Sequence, residues 1–196
     1  MLDKKVFRSG YSVGSKSTVA KGEKNDCVVR AIANAFNLEY DEAHQFTAKE
    51  FKRKDRKATK ATFSKMKTLS EDVVKFPKKG QLDLFDDSDS NTFKIKYVGS
   101  EPKKGGKLTN RAYTHKKVAY TVKAFMNQYK VGTYFILVHK HALVIKDGQI
   151  IDNPDMRFTG YRRVVEHAFK IKKVEPKVAI ISIGDVITEY KSKKVA

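Results

Sequence analysis

Cys27 is the sole cysteine of the chain. The residues around it, Asn25-Asp26-Cys27-Val28-Val29-Arg30-Ala31-Ile32-Ala33, set a polar pair directly before a helix-forming run. This spacing puts the thiol in the first turn of a helix, where the positive end of the helix dipole favours the nucleophilic thiolate. Far downstream, His141 opens an apolar run and Asp152 closes the next one. A thiol, an imidazole and a carboxylate are the parts of an acyl-transfer site: nucleophile, general base and orienting acid. A lone helical cysteine is most often a small buried hydrophobe, so the weight rests on the conjunction of the three.

The register of the second segment can be worked out. Asp147-Gly148 between two apolar runs is a two-residue hairpin loop. Lys146 then pairs with Gln149, Val144 with Ile151 and Leu143 with Asp152. Side chains alternate along a strand, so His141 and Leu143 share a face. Asp152 lies on that face one diagonal step from His141, ~7–8 Å between backbones, which side chains can close to a hydrogen bond. Asn153 points the other way. His139 is the rival base, but it sits at the turn expected at His139-Lys140. His44, His115 and His167 have no acidic or thiol neighbour in sequence that singles them out. No nearby Cys or Glu completes a metal set with His139 and His141, and neither a metal nor another cofactor is expected.

These residues need elements to hold them. Residues 1–24 read as an irregular lead-in with one short strand. Val28, Ala31, Ile32, Ala35 and Phe36 form the buried stripe of a helix over 26–36 that stops at Asn37. A second helix spans Tyr40–Phe51, with Asp41 and Glu42 in its first turn. A short helix is expected around Ala58–Met66, an acidic loop over 80–92 and a strand over Phe93–Val98. A loop follows over Gly99–Lys107, then a helix over Val118–Tyr129. Strands follow at Thr133–Val138, His141–Lys146, Gln149–Asp152, Val164–Ile171 and Val178–Ile183. The fold class is α+β.

On these residues the chain resembles papain-like cysteine peptidases. It is most similar to the compact branch that includes the double-glycine leader peptidases, and to uncharacterised papain-like proteins of bacteriophages. The matching stretches are Asn25-Asp26-Cys27 with its small-residue helix, Gly132–Val138, His141–Ile145 and the Asp152 strand. The resemblance implies an N-terminal helix carrying the cysteine, packed on an antiparallel sheet carrying the histidine and acid. It implies Cys27 as nucleophile, His141 as general base and acid, and Asp152 as the residue orienting His141. The glutamine many such enzymes carry six residues before the cysteine is replaced by Lys21, and the glycine that often follows the cysteine by Val28. Asn25 is the nearer candidate for an oxyanion donor, beside the Cys27 N–H; Asn25 and Asp26 are equally well read as helix caps.

The 196 residues suffice for one domain with a sizeable core, with 50–115 a basic elaboration of it. One cysteine excludes an internal disulfide and a cysteine-rich zinc module. No apolar run suggests a membrane span and no signal core opens the chain, so a cytoplasmic protein is expected, in the host cell or virion-associated if phage-encoded. Net charge is +19, which calls for an anionic partner. Lys52, Arg53, Lys54, Arg56, Lys57 and Lys60 are the candidate anion-binding residues. The partners expected are a protein or peptide substrate, and nucleic acid or another polyanion on the basic face. Two other function classes fit: an acyltransferase of transglutaminase type using the same triad, and a non-catalytic basic nucleic-acid-binding protein on a protease scaffold.

Overall fold

A computed structural model describes residues 7–76, 91–98, 114–115, 118–119, 121–152 and 163–175. The chain enters through β1 (Phe7–Ser9), a 3-10 turn over Gly10–Gly14 and a short helix α1 (Thr18–Gly22). Three helices follow: α2 (Cys27–Phe36), α3 (Tyr40–Phe51) and α4 (Thr62–Leu69). Strands β2 (Val73–Phe76), β3 (Asn91–Tyr97), β4 (Thr114–His115) and β5 (Val118–Ala119) precede helix α5 (Val122–Gln128). Strands β6 (Thr133–Val138), β7 (His141–Lys146), β8 (Gln149–Asp152) and β9 (Val165–Val174) complete the α+β fold.

The main sheet has seven strands in the order β1-β8-β7-β6-β9-β3-β2. Every pairing in it is antiparallel except the edge, where β1 runs parallel to β8. The central strands are buried on both faces: Tyr134 to Val138 and Ala142 to Ile145 are all inside. One face, with Phe135, Ala142, Val144 and Phe169, is covered by α2, α3 and α4. The other, with Ile136, Leu143, Ile145 and Ile150, is covered by α5 through Val122, Phe125 and Met126. This double cover explains why β6 and β7 read as continuous apolar runs rather than alternating ones.

Helix α2 is the central helix of the first face. Val29, Ile32 and Phe36 are essentially inaccessible. Phe36 meets Phe93 edge-on at 5.2 Å between ring centres and Phe76 at 5.3 Å, a favourable geometry for aromatic pairs. The helix stops at Asn37, which takes the left-handed conformation (φ 56°) and donates its N–H to the Ala33 carbonyl. Asparagine tolerates that conformation better than most residues. Segment 50–115 contributes α4, β2 and β3 to this same core.

Some expectations shift. The helix expected over Val118–Tyr129 begins only at Val122. Val118 and Ala119 pair with Thr114 and His115 instead, and the Thr121 hydroxyl caps α5 by accepting from the Ala124 N–H at 3.2 Å. β2 was not anticipated, because four residues on a sheet edge carry little periodicity. The acidic stretch at 83–89, the loop at 99–107 and the strand expected over 178–183 lie outside the described residues. Among the described residues no helix is long and apolar enough to cross a membrane.

Candidate active site

Cys27 is the first residue of α2 and is half-buried. The first hydrogen bond of the helix runs from the Arg30 N–H to the Asp26 carbonyl at 3.0 Å. The N–H groups of Cys27, Val28 and Val29 therefore have no acceptor within the helix itself. Asp26, at the cap position, makes no side-chain capping bond. Its carboxylate is turned inward, where Oδ2 accepts from Arg30 Nε and from the Tyr40 hydroxyl, both at 2.8 Å. The Arg30 guanidinium also lies over the Tyr40 ring, 5.1 Å from its centre. All three residues are buried. Burial, then the hydrogen bond to Asp26 and its negative charge, push the Tyr40 hydroxyl far above its ordinary pKa. Gly14 closes over this group: a Cβ there would stand 2.9 Å from Arg30 Nη1 and from the Ala20 Cβ. The Asp26–Arg30–Tyr40 cluster thus fixes the first turn of α2, and with it the thiol, to α3.

His141 is the first residue of β7, paired with Val138 across the His139-Lys140 turn. Lys140 takes a positive φ (56°) in that turn. Asp152 is the last residue of β8 and pairs with Ser9 of β1. The next residue, Gly10, passes so close that a Cβ on it would be 3.3 Å from the Asp152 carbonyl carbon. The observed hairpin has Lys146 opposite Gln149 and Val144 opposite Ile151, the register expected from the loop. His141 and Asp152 meet as the diagonal predicted: His141 Nε2 lies 2.6 Å from Asp152 Oδ1. Both side chains are inside, 9% and 2% exposed.

With Nε2 taken by Asp152, Nδ1 is the nitrogen left for another partner. The Cys27 thiol is near enough to be among the groups that act on the His141 ring. Burial alone would make the charged ring harder to form. The hydrogen bond to Asp152 and its negative charge, helped by the nearby Cys27, outweigh it and raise the His141 pKa from 6.5 to about 9. By strand parity His141 belongs with Leu143 and Ile145 on the α5 side, whereas α2 covers the opposite face. The thiol and the ring, each on the terminal residue of its element, therefore meet at the end of the sheet rather than across its middle.

Asn25, the candidate oxyanion donor, takes a left-handed conformation (φ 55°), and its amide Nδ2 donates to the Arg56 carbonyl at 3.4 Å. His139 is 69% exposed and faces Glu166 at 3.5 Å. Asn153 lies outside the described residues. Of the six candidate anion-binding residues, Lys52, Lys54, Arg56, Lys57 and Lys60 are exposed. Arg53 is a correction. Its side chain is 1% exposed, with Nη2 donating to Glu23 Oε2 at 2.5 Å and to the Lys24 carbonyl at 3.2 Å. Arg53 Nη1 meets His44 Nε2 at 3.1 Å. A buried, paired guanidinium is part of the scaffold and does not offer itself to an external anion.

Glu23, His44 and Asp55 hold ligand-type atoms within 4.8 Å of one another. The Arg53 guanidinium already supplies the positive charge that Glu23 requires, so this cluster is accounted for without a metal. On the far side of the first face, Phe63 stacks on His167 at 3.6 Å between ring centres. The Tyr97 hydroxyl lies 3.1 Å from His167 Nδ1. Burial lowers the His167 pKa to about 4, which keeps this ring neutral near neutral pH where it packs on Phe63.

The sequence reading missed the inward role of Asp26 and the partners Arg30 and Tyr40. The i,i+4 spacing of Asp26 and Arg30 was the one available signal. Comparison of the chain with protein-family models, with curated proteins and with solved structures found no significant match.

Proposed function

We propose that this protein is a thiol-dependent hydrolase of papain-like type, acting at an amide or ester carbonyl with Cys27 as nucleophile, His141 as general base and acid, and Asp152 as the orienting residue. The observation that carries the reading is a single imidazole held at Nε2 by a buried carboxylate, 2.6 Å away, with Cys27 among the groups that act on the ring. A ring with a pKa of about 9 keeps its proton through neutral pH. It therefore holds a proton ready for a leaving group.

The steps follow from this placement. The Cys27 thiolate attacks the carbonyl carbon and forms a carbon–sulfur bond. The oxygen, now negative, is met by first-turn N–H groups of α2 that lack helical acceptors. Asn25 already gives one amide hydrogen to the Arg56 carbonyl, so the backbone donors are assigned the role. The imidazolium gives its proton to the departing nitrogen or oxygen, leaving a thioester on Cys27. His141, now neutral, takes a proton from water as the water attacks the thioester. The carbon–sulfur bond breaks, the acid product leaves, and the thiolate–imidazolium pair is restored. An amine in place of water would make the same site an acyltransferase.

The test is a chromogenic ester. Incubation with p-nitrophenyl acetate is expected to give a burst of p-nitrophenol with acetyl trapped on Cys27, absent in Cys27→Ala. His141→Ala lowers the burst rate by ~10²–10⁴-fold. Release of free acetate in the presence of an added amine marks a hydrolase; acetylated amine marks a transferase. A burst of equal size in Cys27→Ala, or none in the native protein, would contradict the reading.

A further inference from the structure

The loop after α3 is fastened to the segment that leads into Cys27. Arg53 Nη2 donates to Glu23 Oε2 and the Lys24 carbonyl. The Arg56 N–H donates to both oxygens of the same carboxylate, at 3.0 and 3.2 Å. Asn25 Nδ2 donates to the Arg56 carbonyl, and Arg56 Nη2 lies 3.9 Å from where a Cβ on Gly22 would stand. Glu23 is buried, which alone would raise its pKa, yet Arg53 and the Arg56 N–H hold it below its ordinary value. These contacts tie residues 53–56 to residues 22–25. Asn25 stands two residues before Cys27, so the residue that anchors the loop lies within ~7 Å of chain from the nucleophile.

What the staple carries outward is positive charge. Lys52, Lys54, Arg56, Lys57 and Lys60 are exposed, and so are Lys21 and Lys24 on the facing segment. Within residues 52–60 the one acidic residue is Asp55. No aromatic residue occurs between positions 52 and 60, so the loop has no platform on which bases would stack.

We propose that this loop is the substrate-recognition element of the thiol site, and that the substrate is an acidic polypeptide whose carboxylates flank the bond attacked. The inference rests on the acyl-transfer reading of Cys27. A carbonyl-directed nucleophile needs a polypeptide or ester as its target, and clustered Lys and Arg recognise carboxylates by charge-assisted hydrogen bonds. Salt-sensitive steering by such a cluster raises the encounter rate of an oppositely charged partner by at least ~10-fold. Nucleic acid offers the right charge, but its backbone is a phosphodiester and holds no amide or ester acyl group for the thiol to take.

The experiment uses three peptide vinyl sulfones of equal length on the full chain: one with several carboxylates, one uncharged, one with several amines. Labelling of Cys27 is followed by intact mass. The acidic peptide is expected to label Cys27 ~10-fold faster than the uncharged one at low salt and the basic peptide more slowly, with the differences collapsing at high salt. Combined Lys54→Glu, Arg56→Glu and Lys57→Glu reverses the order of the acidic and basic peptides. The same charge reversal at Lys172 and Lys173, exposed at the other end of β9, leaves the order intact. Equal labelling of Cys27 by all three peptides, still dependent on His141, would overturn the acidic-substrate proposal and leave the thiol reading standing. Labelling that ignores His141→Ala would remove the thiol reading itself. Salt-dependent binding of a DNA or RNA oligomer, abolished by the loop reversal while the peptides label equally, would overturn the proposal in favour of a nucleic-acid surface.

Discussion

Replacing Asp152 by Asn removes the negative charge beside the His141 ring while keeping a side chain of the same shape. The rise of the His141 pKa from 6.5 to about 9 corresponds to about 3 kcal/mol of preference for the charged ring in the folded protein. Burial opposes this preference and persists in the variant. Asp152, through its hydrogen bond and charge, is the largest of the opposing influences. Loss of an opposite charge at hydrogen-bond distance is worth ~1–3 pKa units, so Asp152→Asn brings His141 back toward 6.5 or below it. The assay is an NMR titration of the five histidines, with His141 assigned from the resonance missing in His141→Gln. The stability profile gives a second reading. A raised histidine pKa stabilises the folded state fully below pH 6.5, and that stabilisation drains away as the pH climbs to about 9, because only the folded ring keeps its proton in that window. Native protein therefore loses up to about 3 kcal/mol across this range from His141, and the loss is smaller in Asp152→Asn. A native His141 that titrates near 6.5, or one unmoved by Asp152→Asn, would refute the reasoning.

Further outcomes follow from the elements around the site. Arg30→Ala leaves the buried Asp26 carboxylate without its cation and destabilises the fold by ~3–5 kcal/mol, measured by urea unfolding. Gly14→Ala drives a methyl group into Arg30 and Ala20, at a cost of ~1–3 kcal/mol on the same assay. Phe63→Ala uncovers His167, so its pKa rises from about 4 toward the ordinary value. A depressed histidine pKa makes the fold lose stability as pH falls from 6.5 toward 4, and that acid loss becomes shallower in Phe63→Ala.

Much of the site was legible because its parts are local. A two-residue loop fixes register, so Asp147-Gly148 alone put Asp152 on the His141 face. The stripe of Val28, Ile32 and Phe36 and the stop at Asn37 defined α2 without reference to the rest of the chain. What stayed hidden depends on contacts between distant segments. The Asp26 carboxylate looks like a cap in sequence, but Arg30 and the distant Tyr40 together hold it inward. Arg53 looks like one more cation in a basic run until Glu23 buries it. The parallel pairing of β1 with β8, which supports Asp152 from behind, joins the first described strand to one far along the chain. No local pattern announces such a pairing. The early start expected for α5 failed for a local reason: Thr121 is a better cap than an interior residue, and the residues before it favour a strand.

The most direct test of the central claim is the rate of Cys27 carboxymethylation by iodoacetamide at neutral pH, compared between the native protein, His141→Ala and free cysteine. A thiol paired with a protonated imidazole reacts faster than free cysteine in the native protein, and His141→Ala removes that advantage. A native rate no faster than free cysteine and unchanged by His141→Ala would contradict the account.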